Sequence, residues 1–413
     1  MILSAYLKRH AFREQLINSV PDADLGLVVV VPVHDEESVL KPLHSLQECN
    51  KIQVGVEVIL VFNLAELDGK SKRQTNEKAK QQALNWHENL SNPSFHLHII
   101  NEPSLPQKHA GVGLARKIGM DEAIRRFEHI NNNKGIIVCF DADSSCDTNY
   151  LIAIEQHFKN YPQATATSIY FEHPLEGNEF TDDVYRGITF YELHLRYYKQ
   201  ALAFANLPFA FHTIGSSMAV LAEPYCKEGG MNKRKAGEDF YFLQKFIKLG
   251  NFSELNKTRV VPSPRPSHRV PFGTGRAIHE MLVEKREIGK SYAWENILIL
   301  KDSVRHIEDW YENEANPHPL WLSFIGKEHF LVKLNEIRSQ STSKEKFRKR
   351  FFQWFDAFQC LKFMHYLRDH HQPNQGLLDS VSQLLNTTSK QAAEPNNAKA
   401  YLEILRKRDR FEN

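Results

Sequence analysis

The stretch from Gly135 to Asp143 reads GIIVCFDAD, a short apolar run that ends in two carboxylates. A run this rich in Ile and Val is typical of a strand buried on both faces of a parallel sheet. Because side chains alternate along a strand, Asp141 and Asp143 are predicted to point the same way at its carboxyl end. Ligands bind at that end of open α/β sheets, and two carboxylates there suit Mg²⁺ or Mn²⁺. Paired acids are also common in solvated turns, so other features of the chain must distinguish the two interpretations.

Strand-like and helix-like segments alternate around this stretch. The apolar runs predict strands over 25–33, 56–62, 95–100, 135–140 and 164–171, and helical spacing is found over 38–49, 70–90, 111–127, 149–158 and 180–204. Such alternation predicts an α/β fold with a doubly wound, mostly parallel sheet. We expect an N-terminal helix over 1–25, a main domain over 26–276 and a helical C-terminal region over 277–413.

The bulk composition indicates an ordinary globular protein. The 413 residues are 42% hydrophobic and 25% charged, with a formal net charge of +2, which favours neither nucleic acid nor membrane as a partner. The five cysteines include no CxxC pair, which argues against a zinc site or a disulfide framework and favours a reducing compartment. The N-terminus lacks a signal-peptide pattern, and the uncharged stretch 201–222 carries too many polar residues for a membrane span. We therefore expect a cytoplasmic protein.

Four segments have the composition of a nucleotide site. Residues 30–37, VVPVHDEE, put a proline and acids after the first strand, where a nucleoside can lie. The glycines from Gly111 to Gly119 open a helix with Arg116 in its first turns, a pattern suited to a diphosphate. Asp141 and Asp143 form the third segment, and residues 237–239, GED, begin another helix. Each has a simpler explanation: acids can cap helices, glycines can serve packing, and Arg116 can be a surface residue.

The order of these segments resembles the family-2 glycosyltransferases with the GT-A fold. VPVHDEE is similar to their VPVYNEE-like opening, GVGLARKIGMDEA to their GxxxARNxG helix, and VCFDADSSCDTNYL to their LDADD strand end. Further along, HTIGSSMAVLAEPYCKEGGM resembles their GSxxAxRREAYEKVGGF segment, and AGEDFYFLQKFIKLG their GEDxDLxLRLxxxG helix. The resemblance covers roughly residues 26–275. It implies transfer of a sugar from a nucleoside-diphosphate donor, most often a UDP-sugar, to a hydroxyl of a glycan, glycolipid or other acceptor.

The resemblance also implies roles for individual residues. Asp239 would be the general base of an inverting displacement, supported by Glu238, and Asp143 would bind Mn²⁺ or Mg²⁺ with help from Asp141. The nucleotide sugar would be bordered by Pro32, His34, Glu36, Asn63, Gly111, Arg116, Asp141, Gly215 and Ser216. His268, in the proline-rich segment 260–275, is a candidate third metal ligand or a surface residue, with Arg269 and Arg276 available for phosphate. We expect segment 260–275 to be an ordered functional loop or a mobile lid.

The chain departs from the family pattern at two places, and alternative functions are open. The second strand ends in FNLAE where the family has DDGS, and His34-Asp35 replaces Tyr-Asn, so the choice of base is open. A nucleotidyltransferase would need a lysine-rich loop after the first strand, which is absent between Val33 and Leu46. A non-catalytic sugar-nucleotide-binding or assembly protein is the other alternative. The basic, aromatic segment 344–355 is expected to pack into a core, although contact with the inner membrane face is the competing interpretation.

Overall fold

The computed structural model describes residues 2–269, 273–284, 288–388 and 397–411. The chain divides into two compact units. The first contains Met1–Tyr185 and Thr213–His279, and the second contains Arg186–His212 and Glu280–Glu412. Residues 186–212 were assigned to the main domain from the sequence, whereas in the structure they belong to the second unit.

An eight-stranded mixed sheet forms the centre of the first unit. Its strands are β1 (Leu25–Val33), β2 (Gly55–Ala65), β3 (His96–Leu105), β4 (Ile136–Cys139), β5 (Ser145–Cys146), β6 (Ala166–Phe171), β7 (Met218–Leu221) and β8 (Phe252–Val261). They lie in the order β3-β2-β1-β4-β7-β6-β8-β5. Strands β3, β2, β1 and β4 are mutually parallel, and β6 is parallel to β8, whereas β7 is antiparallel to both neighbours and β5 to β8. The expected α/β class with a mostly parallel sheet is confirmed.

Helices accompany this sheet along the chain. They are α1 (Ile2–His10), α2 (Leu40–Gln47), α3 (Lys70–Glu88), α4 (Val112–His129), α5 (Tyr150–Asn160), α6 (Asp182–Phe204), α7 (Ala222–Lys227), α8 (Glu238–Leu249) and α9 (Thr274–Val283). Helix α4 packs on the parallel strands at Gly119, where a Cβ atom would lie 2.5 Å from the Val30 side chain. The absence of a side chain at this position therefore sets the close approach of α4 to β1.

The run of apolar residues explains why β1 and β4 occupy the centre of the sheet. Val28, Val29 and Val30 of β1 and Ile137 and Val138 of β4 are fully buried. Burying each such side chain contributes roughly 1.5–3 kcal/mol, so both faces of these strands favour the interior. The two strands run parallel, and their carboxyl ends therefore meet at one edge of the sheet. The polar residues that follow each strand gather there.

One prediction about secondary structure was wrong, and one strand was not predicted. Helix α1 ends at His10, because the next segment gives its backbone N–H groups to acids of α4: Phe12 donates to Asp121 (3.0 Å) and Ile17 to Glu122 (3.0 Å). Only the first part of the predicted helix over 1–25 is therefore helical. Strand β8 was missed, since FSELNKTRVV has little apolar character and forms a strand by pairing with β6 and β5.

The second unit is mainly helical. It contains α10 (Trp294–Val304), a 3-10 helix (Ile307–Tyr311), α11 (Pro319–Ile325), α12 (Lys327–Ser339), α13 (Lys344–Trp354), α14 (Ala357–His370), α15 (Leu377–Thr388), α16 (Ala398–Phe411) and the short antiparallel strands β9 (Lys290–Ser291) and β10 (Gln375–Gly376). The apolar face of α13 lies in an aromatic core, where Phe351 is fully buried with its ring centroid 5.9 Å from that of Trp310 and 5.8 Å from that of Trp321. Core packing is therefore the interpretation of this face that the structure supports. None of the helices described has both the length and the apolar character needed to cross a bilayer.

A buried ionic cluster joins α6 to α16 within the second unit. Asp409 accepts hydrogen bonds from Arg196 (2.7 Å) and Lys199 (3.1 Å), and its carboxylate lies 3.2 Å from His212 Nε2. Arg196 is fully buried. Burial raises the pKa of Asp409, but the hydrogen bond and charge of His212 and the charges of Lys199 and Arg196 outweigh it, so the net pKa lies well below the usual range. Asp409 is therefore held as a carboxylate between cations.

Candidate active site at the strand ends

Residues Asp141, Ala142 and Asp143 form a turn directly after β4, the DAD turn, which carries the two carboxylates. The Phe140 N–H still donates to Val30 O of β1 (3.0 Å), and the Ser144 N–H donates to Asp141 O (3.2 Å), which closes the turn before β5. The side chain of Ala142 between them is buried, whereas those of Asp141 and Asp143 are 37% and 32% exposed. Both carboxylates can therefore be reached from solvent at the carboxyl edge of the sheet.

Arg116 links three of the predicted segments. It extends from α4 and is buried, with only 3% of its side chain exposed. Its guanidinium donates to Asp141 Oδ1 (2.5 Å) and to Glu238 Oε1. Gly215 lies against the same guanidinium, since a Cβ atom there would be 2.5 Å from Arg116 Nη1. The alternative in which Arg116 is a surface residue is therefore excluded.

The acidic pair Glu238-Asp239 begins α8. Gly237, immediately before it, has a φ of 67°, a left-handed conformation that glycine adopts without strain. Glu238 is buried against Arg116, whereas Asp239 is partly exposed and accepts a hydrogen bond from the Phe240 N–H (2.7 Å). Asp239 is thus the member of the pair that a ligand can reach.

Burial controls the ionisation of this pair. It raises the pKa of Glu238, and the Asp239 charge adds to the effect although the Arg116 cation opposes it. Burial also raises the pKa of Asp239, although the Arg116 cation and the backbone hydrogen bonds from Phe240 and Gly215 lower it in part. A carboxylate whose pKa is raised is a stronger base than an ordinary aspartate.

Two arginines from the segment after β8 contact the acids of the site. Arg265 donates to Glu36 Oε1 (2.7 Å) and to Asp143 Oδ2 (3.1 Å), and Arg269 donates to Glu36 Oε1 (2.7 Å) and to His34 O (2.5 Å). Burial and the Asp141 charge nevertheless raise the pKa of Asp143 to about 6. The negative charge at Asp143 is therefore only partly compensated by the protein.

Arg265 is a site residue that the sequence analysis missed. Only Arg269 and Arg276 were considered for phosphate, although Arg265 stands in the same proline-rich segment, PSPRPSHR. The available signal was its position shortly after a strand end, but β8 itself had not been recognised. Residues 270–272 of the predicted loop 260–275 lie outside the described residues.

The ends of β1 and β2 are tied together by side chains. Asn63 is buried, with 3% exposure, and its amide donates to Val33 O (2.9 Å), while His34 Nδ1 lies 3.0 Å from Asn63 O. Pro32 is half-buried within β1, and Glu36 is buried beneath the two arginines. The amide of Asn63 thus holds the strand ends in place, a use that the sequence did not indicate.

Three predicted residues are not brought into the charged cluster. Gly111 precedes α4 and is packed closely, because a Cβ atom there would lie 3.0 Å from Lys235 Cα. Ser216 is buried, with its Oγ 3.5 Å from that of Ser217. His268 is exposed, and its ring centroid lies 5.8 Å from that of His279.

The donor set at the DAD turn fits a hard divalent cation that is shared with a substrate. Across residues 2–269, 273–284, 288–388 and 397–411, no three His, Cys, Asp or Glu side chains gather as a metal site. Mg²⁺ usually needs only one or two carboxylates when phosphates and waters complete its shell. Asp141 and Asp143 are two carboxylates of this kind, and in the structure they are paired with Arg116 and Arg265.

Comparisons with known proteins leave the family open. No family model matches the sequence, and no curated protein matches it. Among solved structures, S. aureus TarS 1-349 in complex with UDP-GlcNAc is similar with a TM-score of 0.39 and 13% identity, over 92% of this chain and 89% of that chain. The same segment in complex with UDP has a TM-score of 0.38 and 11% identity, over 80% and 92%. S. aureus TarS itself has a TM-score of 0.36 and 12% identity, over 93% and 53%. Likeness at this level establishes neither a shared family nor a shared chemistry.

Proposed function

We propose that this protein is a glycosyltransferase that uses a nucleoside-diphosphate sugar. The observation that carries the proposal is the contact of buried Arg116 with both Asp141 and Glu238, with Gly215 against the same guanidinium. Three segments that are far apart in sequence thereby converge at the carboxyl edge of the parallel strands, where α/β folds bind ligands. These are the segments whose order resembles the family-2 glycosyltransferases with the GT-A fold.

The charges of the site suit a diphosphate. Arg265 and Arg269 are partly exposed cations beside Asp143 and Glu36, and a diphosphate can replace the carboxylates as their hydrogen-bond acceptor. The nucleoside would lie along the end of β1, bordered by Pro32 and His34. The FNLAE segment leaves the base open, and UDP is our first choice because the family resemblance favours it.

Asp141 and Asp143 are the residues that would hold Mn²⁺ or Mg²⁺ in this proposal. A divalent cation held there would neutralise the negative charge that develops on the departing diphosphate. His268 is the least supported ligand, because its exposed ring is not gathered with the two carboxylates.

Asp239 is proposed as the general base. An acceptor hydroxyl is a weak nucleophile, so a carboxylate that takes its proton while the new bond forms lowers the barrier. Asp239 is partly exposed, and burial raises its pKa, both of which favour this role. Glu238 is ion-paired with Arg116 and would position that arginine and the start of α8. Attack from the face opposite the leaving group would invert the anomeric centre.

A transfer assay with matched variants tests this proposal. Release of UDP from a panel of UDP-sugars is measured with Mn²⁺ for the wild type, Asp143→Ala, Asp239→Asn and Asp302→Asn, the last altering an exposed carboxylate of α10. We expect Asp143→Ala to lose hydrolysis and transfer, and Asp302→Asn to behave as the wild type. Activity in Asp143→Ala equal to that of Asp302→Asn would remove the metal assignment.

The alternative is a non-catalytic protein that binds a sugar nucleotide or assists assembly. It predicts that UDP-sugars bind but are neither hydrolysed nor transferred, whatever the metal. The panel separates the two functions, because only the glycosyltransferase releases UDP.

A further inference from the structure

Two cysteines face each other beside the candidate site. Cys49 follows α2 and Cys146 lies in β5, and their Sγ atoms are 3.8 Å apart although the residues are 97 positions apart in sequence. Both thiols are free. Cys49 is buried, with 6% exposure, and Cys146 is half-buried. The fold therefore places two reduced thiols in contact.

The ionisation of Cys49 differs from that of the chain's isolated buried cysteines. Burial raises the pKa of Cys139 to about 12 and that of Cys226 to about 12, which keeps both as unreactive thiols. The hydrogen bond between the two thiols lowers the pKa of Cys49 despite its burial. The same hydrogen bond and burial raise the pKa of Cys146. Cys49 is thus the more acidic thiol of the pair.

We propose that Cys49 and Cys146 are a reversible redox pair that hydrogen peroxide converts to an intramolecular disulfide. Cys49 ionises and its sulfur attacks one peroxide oxygen, the O–O bond breaks, and Cys49 becomes a sulfenic acid while the departing hydroxide takes up the proton that Cys49 released. The Cys146 sulfur then attacks the sulfenic sulfur, its proton goes to the departing hydroxide, and water is released. The two thiols lose two electrons and two protons, and one peroxide becomes two waters.

The local structure allows this bond to form. A disulfide needs sulfurs about 2.0 Å apart, so the two sulfurs must approach by roughly 1.8 Å. Cys146 lies in a two-residue strand at the end of the sheet, where β5 is paired only with β8. Cys49 lies in the turn after α2, outside the regular helix. Neither sulfur is fixed by a central strand.

The disulfide would affect the candidate site, and this consequence rests on the proposed function. Strand β5 begins two residues after Asp143, and α2 begins four residues after Glu36. A bond between Cys49 and Cys146 therefore joins the two segments that carry these acids, and the contraction pulls the DAD turn. Since displacements of about 1 Å can change the function of a site by up to roughly a hundredfold, we expect oxidation to weaken nucleoside-diphosphate binding about tenfold.

Peptide mass spectrometry tests the bond itself. The reduced full-length protein is treated with hydrogen peroxide, its free thiols are alkylated, and it is digested without reductant. We expect a peptide pair that joins Cys49 to Cys146, which dithiothreitol removes and which Cys226→Ser retains. Cys49→Ser and Cys146→Ser each lack it. Oxidation of Cys49 to sulfinic acid, or full alkylation of both cysteines after peroxide, would overturn the redox pair.

Calorimetric titration with UDP and Mn²⁺ tests the consequence. Oxidised wild type is expected to bind UDP about tenfold more weakly than reduced wild type. Cys146→Ser, treated with the same peroxide, is expected to bind as the reduced protein does. Equal affinity of the oxidised and reduced wild type would overturn the link to the site. Failure of the reduced protein to bind any nucleoside diphosphate would count against the proposed function, while the cross-linked peptide is scored independently.

Discussion

Replacement of Arg116 by methionine probes the ion cluster on which the proposed site depends. Methionine keeps the length and apolar stem of the side chain but removes the cation that faces Glu238 and Asp141. Breaking a buried ion pair costs about 3–5 kcal/mol, because the remaining charge is left in the interior. Asp141 is more than a third exposed and adds little to this cost, so Glu238 determines the magnitude.

Protonation of Glu238 sets an upper limit on the penalty. Burial already raises the pKa of Glu238 to about 7 in the wild type, so at lower pH the carboxyl is protonated with or without Arg116. Above that pH the variant keeps the proton that the wild type releases, at a cost of about 1.4 kcal/mol for each pH unit. The expected loss of stability from this charge is therefore small at pH 6 and at most about 3 kcal/mol at pH 9. The sign follows from linkage: a carboxyl whose folded pKa is raised makes the folded state less stable as pH rises between the two pKa values.

Urea unfolding at pH 6 and pH 9 measures this effect. The set comprises the wild type, Arg116→Met, Glu238→Gln and the double variant Arg116→Met/Glu238→Gln. Because a neutral amide needs no cation, we expect the double variant to recover at least half of the loss that Arg116→Met shows at pH 9. A loss in Arg116→Met that is the same at both pH values, or a double variant no more stable than Arg116→Met, would show that Glu238 does not depend on the Arg116 cation.

Three further predictions concern the base, the glycine at the arginine and the second unit. Asp239→Asn should retain UDP affinity but lower the rate of sugar transfer by at least about a hundredfold, as general bases contribute 10²–10⁴-fold; unchanged transfer in a steady-state assay would remove it as the base. Gly215→Ala should lower the melting temperature, because its Cβ would lie 2.5 Å from Arg116 Nη1, whereas Gly69→Ala, with open space around it, should not; equal melting temperatures would contradict this packing. Asp409 has a lowered pKa, so its stabilisation is present above an ordinary aspartate pKa of about 3.9 and is lost as pH falls further. Asp409→Asn should therefore lower the free energy of unfolding by about 3–5 kcal/mol at pH 7, measured by calorimetry, and should make stability depend less on pH in acid. A variant that melts as the wild type does at every pH would count against this role of Asp409.

The parallel half of the sheet could be predicted from the sequence because its strands are apolar along their whole length. The valines of β1 and the isoleucines of β4 are buried on both faces, which leaves few alternatives for such segments. Strand β8 has no such signal: its residues Ser253, Lys257 and Arg259 are polar, and its strand conformation depends on partners far away in sequence. The same holds for the segment after α1, whose N–H groups find Asp121 and Glu122 of α4.

Most residues of the candidate site could be predicted from the sequence, but the contacts between them could not. The spacing around Arg116, Asp141 and Glu238 marked each residue, yet their meeting depends on the sheet order that puts β4 between β1 and β7. Asn63 was expected to border the nucleotide sugar, but its amide donates to Val33 O, a contact that depends on the register of β1 and β2. Arg265 depends on where β8 ends, which the sequence pattern did not indicate.

We propose above that the DAD turn binds a nucleoside diphosphate together with a divalent cation. Isothermal titration of UDP into the protein, with and without Mn²⁺, tests it most directly, with Asp143→Ala as the site variant and Asp302→Asn as the control. We expect saturable binding by the wild type and Asp302→Asn that Mn²⁺ strengthens, and loss of the Mn²⁺ effect in Asp143→Ala. Binding that is the same with and without Mn²⁺ in all three proteins, or no binding of any nucleoside diphosphate, would contradict it.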